Sequence, residues 1–214
     1  HSNDATTSFS VGSGVVTFGK RLSTPHTYYY DCSKTPDADI TDINSWWTGE
    51  RGTGTRATSF TEDDATWIIE CNATVSTNPL SITGSNVVVI LEENARLNVN
   101  NTTTFASFRQ VEGSMVNISA QKQFTVYGTH EVGHYAGVNN YGTFNTYSKT
   151  FAIDYGAFVN NYSEGTWNMY NSALQVSSSD GSSNSKSGHV VNYGNINMTN
   201  SSLYVSGRFT DVKN

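Results

Sequence analysis

The sequence predicts an all-β chain, a parallel β-helix (β-solenoid) with an N-terminal cap region. Three observations carry that reading. The first is a repeat in the C-terminal half. Asn140-Tyr141-Gly142-Thr143-Phe144-Asn145, Asn161-Tyr162-(Ser163-Glu164)-Gly165-Thr166-Trp167-Asn168 and Asn192-Tyr193-Gly194-Asn195-Ile196-Asn197 superimpose. Seven residues after Phe144, Trp167 and Ile196 come Phe151, Leu174 and Leu203, and two further on come Ile153, Val176 and Val205. The copies are 23 and 29 residues apart (Phe144 to Trp167, Trp167 to Ile196), a spacing at which solenoid turns repeat. The second observation is apolar alternation of period two inside each copy, which marks strands. No hairpin signal joins one copy to the next, so like positions should stack in parallel at about 4.8 Å. The third is composition. Charged residues make up 14%, against about 25% in ordinary soluble proteins. Asn, Thr, Ser and Gly replace them, and Ser, Thr and Asn compete with a helix for its backbone hydrogen bonds. Twelve Tyr, ten Phe and four Trp supply β-propensity and area to bury.

The elements follow in chain order. Residues 1–72 break the repeat: they hold Trp46-Trp47, Tyr28-Tyr29-Tyr30, Pro25, Pro36 and the run Gly49-Glu50-Arg51-Gly52-Thr53-Gly54. A solenoid end exposes backbone and core side chains and needs a cover. This region is therefore read as a cap with the first strands. Thr66–Glu70 and Val75–Ile82 are early strands, and residues 73–214 form the rungs. Ala95, Gly113, Gly142, Gly165 and Gly194 are taken as equivalent small-residue anchors. Residues 203–212 begin another rung, which favours a segment of a longer parent protein.

Several classes of function are disfavoured. The net charge of −6 argues against a nucleic-acid backbone as partner. No apolar run approaches the ~18 residues of a membrane span, so no membrane insertion is expected. Two cysteines, Cys32 and Cys71, are read as a disulfide, because a low-charge, Asn/Thr-rich chain fits an extracellular setting. The Asn-x-Ser/Thr sequons are expected by chance in such a composition.

The opening Asn44-Ser45-Trp46-Trp47-Thr48-Gly49, then Thr58-Ser59-Phe60-Thr61, then the Asn-Tyr-Gly rungs resemble secreted and cell-surface β-helix proteins of bacteria. These belong to the broad right-handed parallel β-helix class of pectate-lyase-like enzymes, tailspikes and adhesin passengers. The resemblance covers about residues 44–214 and implies a secreted or surface scaffold. It carries over no catalytic residue.

His130-Glu131-Val132-Gly133-His134 matches HExxH, and Gly137 extends the match, but Asn140 stands where a third His belongs. Zinc proteases need both His on one face of a helix, with the Glu as base. Strand-like Phe124-Thr125-Val126 precedes this string and the repeat follows it, so the match is read as coincidental, with both histidines in a solvated loop. No metal or cofactor is called. Acidic residues gather at Asp37, Asp39 and Asp42 and at Glu62, Asp63 and Asp64 without calcium-loop spacing. Arg96 and Arg109 have no series of acidic partners. Paired carboxylates for glycoside hydrolysis would be Glu92, Glu93 and Glu112, and nothing in the sequence brings them into one cleft. Thr102-Thr103-Thr104 is one tract and not a repeating ice-binding array.

Tyr127–Gly137 and Ser177–Gly188 are read as long loops leaving the same corner of alternate rungs. Loops on one edge are where solenoids build binding surfaces. The candidate binding residues are His130, Glu131, His134, Tyr135, Asp180 and His189, together with the platform Tyr141, Tyr162 and Tyr193. The expected function is a non-enzymatic adhesive or structural stalk or binding scaffold. The alternative is a β-helix that binds or degrades a polysaccharide.

Overall fold

The computed structural model describes residues 7–11, 14–18, 25–33, 39–147, 150–153, 155–177, 187–206 and 211–213. It is all-β, a parallel β-solenoid of about 5 turns. Three sheets run along the axis. Sheet 1 stacks Ala73–Val75, Arg96–Val99, Met115–Ile118, Gly137–Asn140, Phe158–Asn161, His189–Asn192 and Asp211–Lys213. Sheet 2 stacks Leu80–Ile82, Thr103–Phe105, Gln123–Val126, Thr143–Thr146, Thr166–Tyr170 and Asn195–Thr199. Sheet 3 stacks His26–Tyr30, Ala65–Ile69, Val88–Leu91, Phe108–Gln110, His130–Val132, Thr150–Ile153, Ala173–Ser177 and Ser202–Ser206. Each turn of chain visits sheets 1, 2 and 3 in that order.

Alternation puts every second side chain inside. Leu97, Val116, Val138, Val159 and Val190 form one column in sheet 1 and all are buried. The expected column Phe144, Trp167, Ile196 pairs in register in sheet 2, and Phe151, Leu174, Leu203 does so in sheet 3. Phe144, Trp167, Phe151 and Leu174 are buried, Ile196 is half-buried and Leu203 is 45% exposed. Ile196 and Leu203 lie in the last described strands of sheets 2 and 3, which pair on one side only, so both keep contact with water.

The upstream register differs from the expectation. Leu97 and Val116 pair with Val138 in sheet 1, not with the Phe144 column of sheet 2. Ala95 precedes sheet 1, whereas Gly142, Gly165 and Gly194 follow it. Gly113 is also one place off, because Leu97 opposite Val116 sets Asn94 opposite Gly113. Both have a left-handed backbone, φ 58° and 68°, which Asn and Gly tolerate. Arg96-Leu97-Asn98-Val99 in sheet 1 and Thr166-Trp167-Asn168-Met169 in sheet 2 both read polar-apolar-polar-apolar, so a slip by one whole strand preserves the alternation.

On the N-terminal side, sheet 3 extends beyond the rungs. His26–Tyr30 continues sheet 3 in parallel with Ala65–Ile69, and Trp46–Gly49 then pairs with it antiparallel. Trp46 is fully buried, packs edge-on against Trp67 at 5.2 Å and donates its indole N–H to the Ile40 carbonyl at 3.0 Å. Asp39 bridges to Thr74 at the edge of sheet 1, and its carboxylate accepts from the Thr77 backbone N–H at 2.6 Å and the Ser76 hydroxyl at 3.1 Å. Cys32 and Cys71 are joined in a disulfide, with Cα atoms 5.9 Å apart.

The segment from Tyr127 to Gly137 is not an excursion. It contains the strand His130–Val132, paired with Phe108–Gln110 on one side and Thr150–Ile153 on the other. Its turns lie at two different corners. Most of the other expected loop, with Asp180, lies outside the described residues.

Candidate binding surface

The corner between sheets 1 and 2 carries an ordered surface array. Sheet 1 residues Asn140, Asn161 and Asn192 pair in register, which places Tyr141, Tyr162 and Tyr193 one residue later at the turn. The rings of Tyr141 and Tyr162 stack with centroids 4.1 Å apart and planes 5° from parallel. Tyr141 is 42% and Tyr193 71% exposed. Hydrogen bonding to Tyr162 raises the pKa of the Tyr141 phenol, and partial burial adds to the effect. Two features of the Asn-Tyr-Gly motif hold the column. A Cβ at Gly142, Gly165 or Gly194 would strike backbone or asparagine oxygens of the neighbouring turn, so glycine is what lets the turns nest. The asparagine before each tyrosine is buried and bonded to its neighbour: Asn140 donates to Asn161 at 2.7 Å, and Asn161 to Asn192 at 2.7 Å.

Two further amide ladders flank the tyrosines on the outer faces. On sheet 1, Asn117 donates to Asn98 at 3.0 Å, Asn139 to Asn117 at 3.0 Å and Asn160 to Asn139 at 3.1 Å. On sheet 2, Asn145 donates to Thr125 at 3.2 Å, Asn168 to Asn145 at 2.9 Å and Asn197 to Asn168 at 2.8 Å. A primary amide has two donors and two acceptor lone pairs. A bond along the ladder uses one of each, so Asn117 and Asn168, both half-buried, keep one donor and one acceptor to offer outward. Asn139 spends its second donor on the Met115 sulfur at 3.6 Å, and Asn145 is only 8% exposed. In the three copies of the motif the only charged side chain is Glu164. The motif surface is polar and aromatic with little charge, and Lys122 stands at the same corner one rung below.

The other sequence candidates disperse. His130 is not in a solvated loop. It is 1% exposed, packs against Phe108, Phe144 and Phe151, and shares a 3.2 Å hydrogen bond with Gln110. Burial pushes its pKa down to about 3. The strand turns His130 inward and Glu131 outward, while His134 lies on the surface stacked on Tyr155 at 4.2 Å. A zinc site of the helical HExxH type needs both histidines on one face, and here they lie on opposite sides of the wall. Among the described residues no group of three or more His, Cys, Asp or Glu could hold a metal ion. Tyr135 stands at the same corner as His134 with φ 56°. His189 is half-buried on sheet 1, in register with Phe158.

Arg109 does have an acidic partner. Glu131 lies in register beside it on the outer face of sheet 3, Nε to Oε2 at 3.5 Å, and both are more than half exposed. Shallow hollows of about 350 and 390 Å³ lie on either side of the pair. The acidic residues before Ala65–Ile69 tie neighbouring rungs together: Glu62 accepts from the Tyr28 hydroxyl at 2.6 Å, and Asp63 from the Ser85 backbone N–H at 2.7 Å.

Sequence reading found the inner Asn column and the Tyr141 column. It missed both outer ladders and a second tyrosine column, Tyr127, Tyr147 and Tyr170. The doublets Asn139-Asn140 and Asn160-Asn161 are the overlooked signal: in a strand, neighbours face opposite ways, so each doublet feeds one inner and one outer ladder. No family model matches the sequence, and neither a curated protein nor a solved structure is detectably similar to it.

Proposed function

We propose that this chain is a rigid, non-enzymatic binding scaffold, working outside the cell or on its surface, that takes a neutral polysaccharide along the corner between sheets 1 and 2. The observation that carries this reading is the parallel Tyr141–Tyr162 stack, exposed between two outer amide ladders. Aromatic rings suit the apolar faces of sugar rings, and the exposed amides of the ladders supply donors and acceptors for hydroxyls beside them. A straight array fits an extended polymer better than a small ligand, which favours an enclosed concave pocket. The absence of charge from the array, apart from Glu164, favours a neutral chain. The Cys32–Cys71 disulfide supports an oxidising compartment.

Affinity electrophoresis through gels containing soluble cellulose derivatives, xylan, mannan or mixed-linkage glucan tests the reading. The wild-type chain should be retarded by at least one of them. Tyr141→Ala/Tyr162→Ala should migrate freely while keeping its circular dichroism spectrum. Retardation that persists in the double variant, or none in any neutral polysaccharide, overturns the proposal.

A further inference from the structure

The second tyrosine column stops partway along the stack. Tyr127, Tyr147 and Tyr170 stand at the corner between sheets 2 and 3, with ring centroids 5.0 Å apart for the first pair and 4.6 Å for the second. One rung below Tyr127 the register reaches Ala106, because Phe105 lies opposite Val126. The backbone confirms the placement: the Gly128 N–H donates to the Ala106 carbonyl at 2.6 Å. Below that stands Thr83, since Ile82 lies opposite Phe105. The column thus continues with side chains too small to fill it. A Cβ at Gly128 would lie 2.5 Å from the Ser107 hydroxyl oxygen, so this corner stays low. A hollow of about 480 Å³ results, bordered by Tyr127, Gly128, Ala106, Ser107, Thr83 and Val87.

We propose that this hollow binds one pyranose ring, stacked on the free face of Tyr127. One face of Tyr127 is taken by Tyr147, and the side chain is 54% exposed. A pyranose chair laid with its C–H face on the other face would continue the column at about the spacing the tyrosines already keep. The volume falls within the range of small-molecule clefts, about 300–1,000 Å³. Its rim carries the hydroxyls of Thr83 and Ser107, and its floor is small and apolar, which matches a ring with a C–H face and hydroxyl edges. The hollow adjoins the one over Val88 and Ile90, sharing Val87 and Ser107 with it, so a longer glycan has a path onward. The site is open to water, and one ring should bind in the millimolar range.

Amide chemical shifts of the full chain test this, titrated to the solubility limit with the methyl glycosides of glucose, galactose and N-acetylglucosamine. At least one should shift the amides of Tyr127, Gly128, Ala106 and Ser107 saturably. Sorbitol, which has the hydroxyls but no ring, should not. Ala106→Tyr, which fills the hollow by extending the column, and Tyr127→Ser should each abolish the shifts. Tyr141→Ala/Tyr162→Ala should leave them intact, which separates this site from the polymer surface. No saturable shift with any glycoside overturns the inference. So does an equal response to sorbitol, or a response to p-cresol alone, which would make the hollow a seat for a partner's aromatic side chain.

Discussion

The side-chain amide of Asn140 donates to that of Asn161 at 2.7 Å inside the wall of the solenoid, where neither residue reaches water. The same column holds Val75, Val99 and Ile118 in the earlier rungs. The stack therefore changes partway from an aliphatic ladder to an amide ladder. It does so without orphaned groups: the first Oδ1 accepts from the Gly142 N–H at 3.1 Å, and the last Nδ2 donates to the Gly194 carbonyl at 3.2 Å.

This column makes the first prediction. Asn161→Ala removes bonds to Asn140, to Asn192 and to the Asn195 carbonyl together. Each buried group left unpaired costs about 1–3 kcal/mol, so urea unfolding should show a loss of about 3 kcal/mol or more. Asn160→Ala, one residue away on the outer ladder, should cost under about 1 kcal/mol, because water replaces its bonds. Equal losses would mean the inner ladder is not a buried network.

Trp167 lies between Phe144 and Ile196 and is fully buried. Trp167→Ala should destabilise by about 3–5 kcal/mol. Leu203→Ala, at an equivalent inward position but 45% exposed, should cost about 1 kcal/mol or less, because most of the transfer term is absent. A large loss for Leu203 in the purified chain would show that something else covers that end.

His130 gives the fold an acid sensitivity. Its pKa is about 3 when folded, against an ordinary 6.5. Between those values the unfolded chain binds the extra proton and the folded chain does not, so stability is lost as pH falls from about 6.5 toward 3, by at most about 1.4 kcal/mol per pH unit. His130→Phe, beside Phe108 and Phe151, should flatten urea midpoints plotted over that window. An unchanged slope would assign the sensitivity to carboxylates instead.

The Cys32–Cys71 disulfide links the end of His26–Tyr30 to the end of Ala65–Ile69, 39 residues apart in sequence. Cys32→Ala/Cys71→Ala should lower stability by about 2–4 kcal/mol, and reductant should reproduce the loss in the wild type. Indifference to reductant would mean these N-terminal strands are held by the Trp46–Trp67 packing alone.

The sequence by itself determined the fold class, the register of its last three copies and the positions of the Tyr141 column and its supporting asparagines. All of these follow from local periodicity: inward residues repeat from copy to copy, and a short repeat displays them side by side. The tertiary structure decided what periodicity cannot express. Which of two similar strands in each turn is equivalent to which upstream depends on stacking across about twenty residues, so Ala95 and Gly142 looked alike in the sequence and stand at different corners. Whether His130 faces in or out depends on strand phase, and its HExxH string hid a strand. The pairing of Arg109 with Glu131, the outer amide ladders and the hollow beneath Tyr127 each join residues about one turn apart. Such neighbours are brought together only when the chain winds back on itself and the backbone ladder fixes them a rung apart.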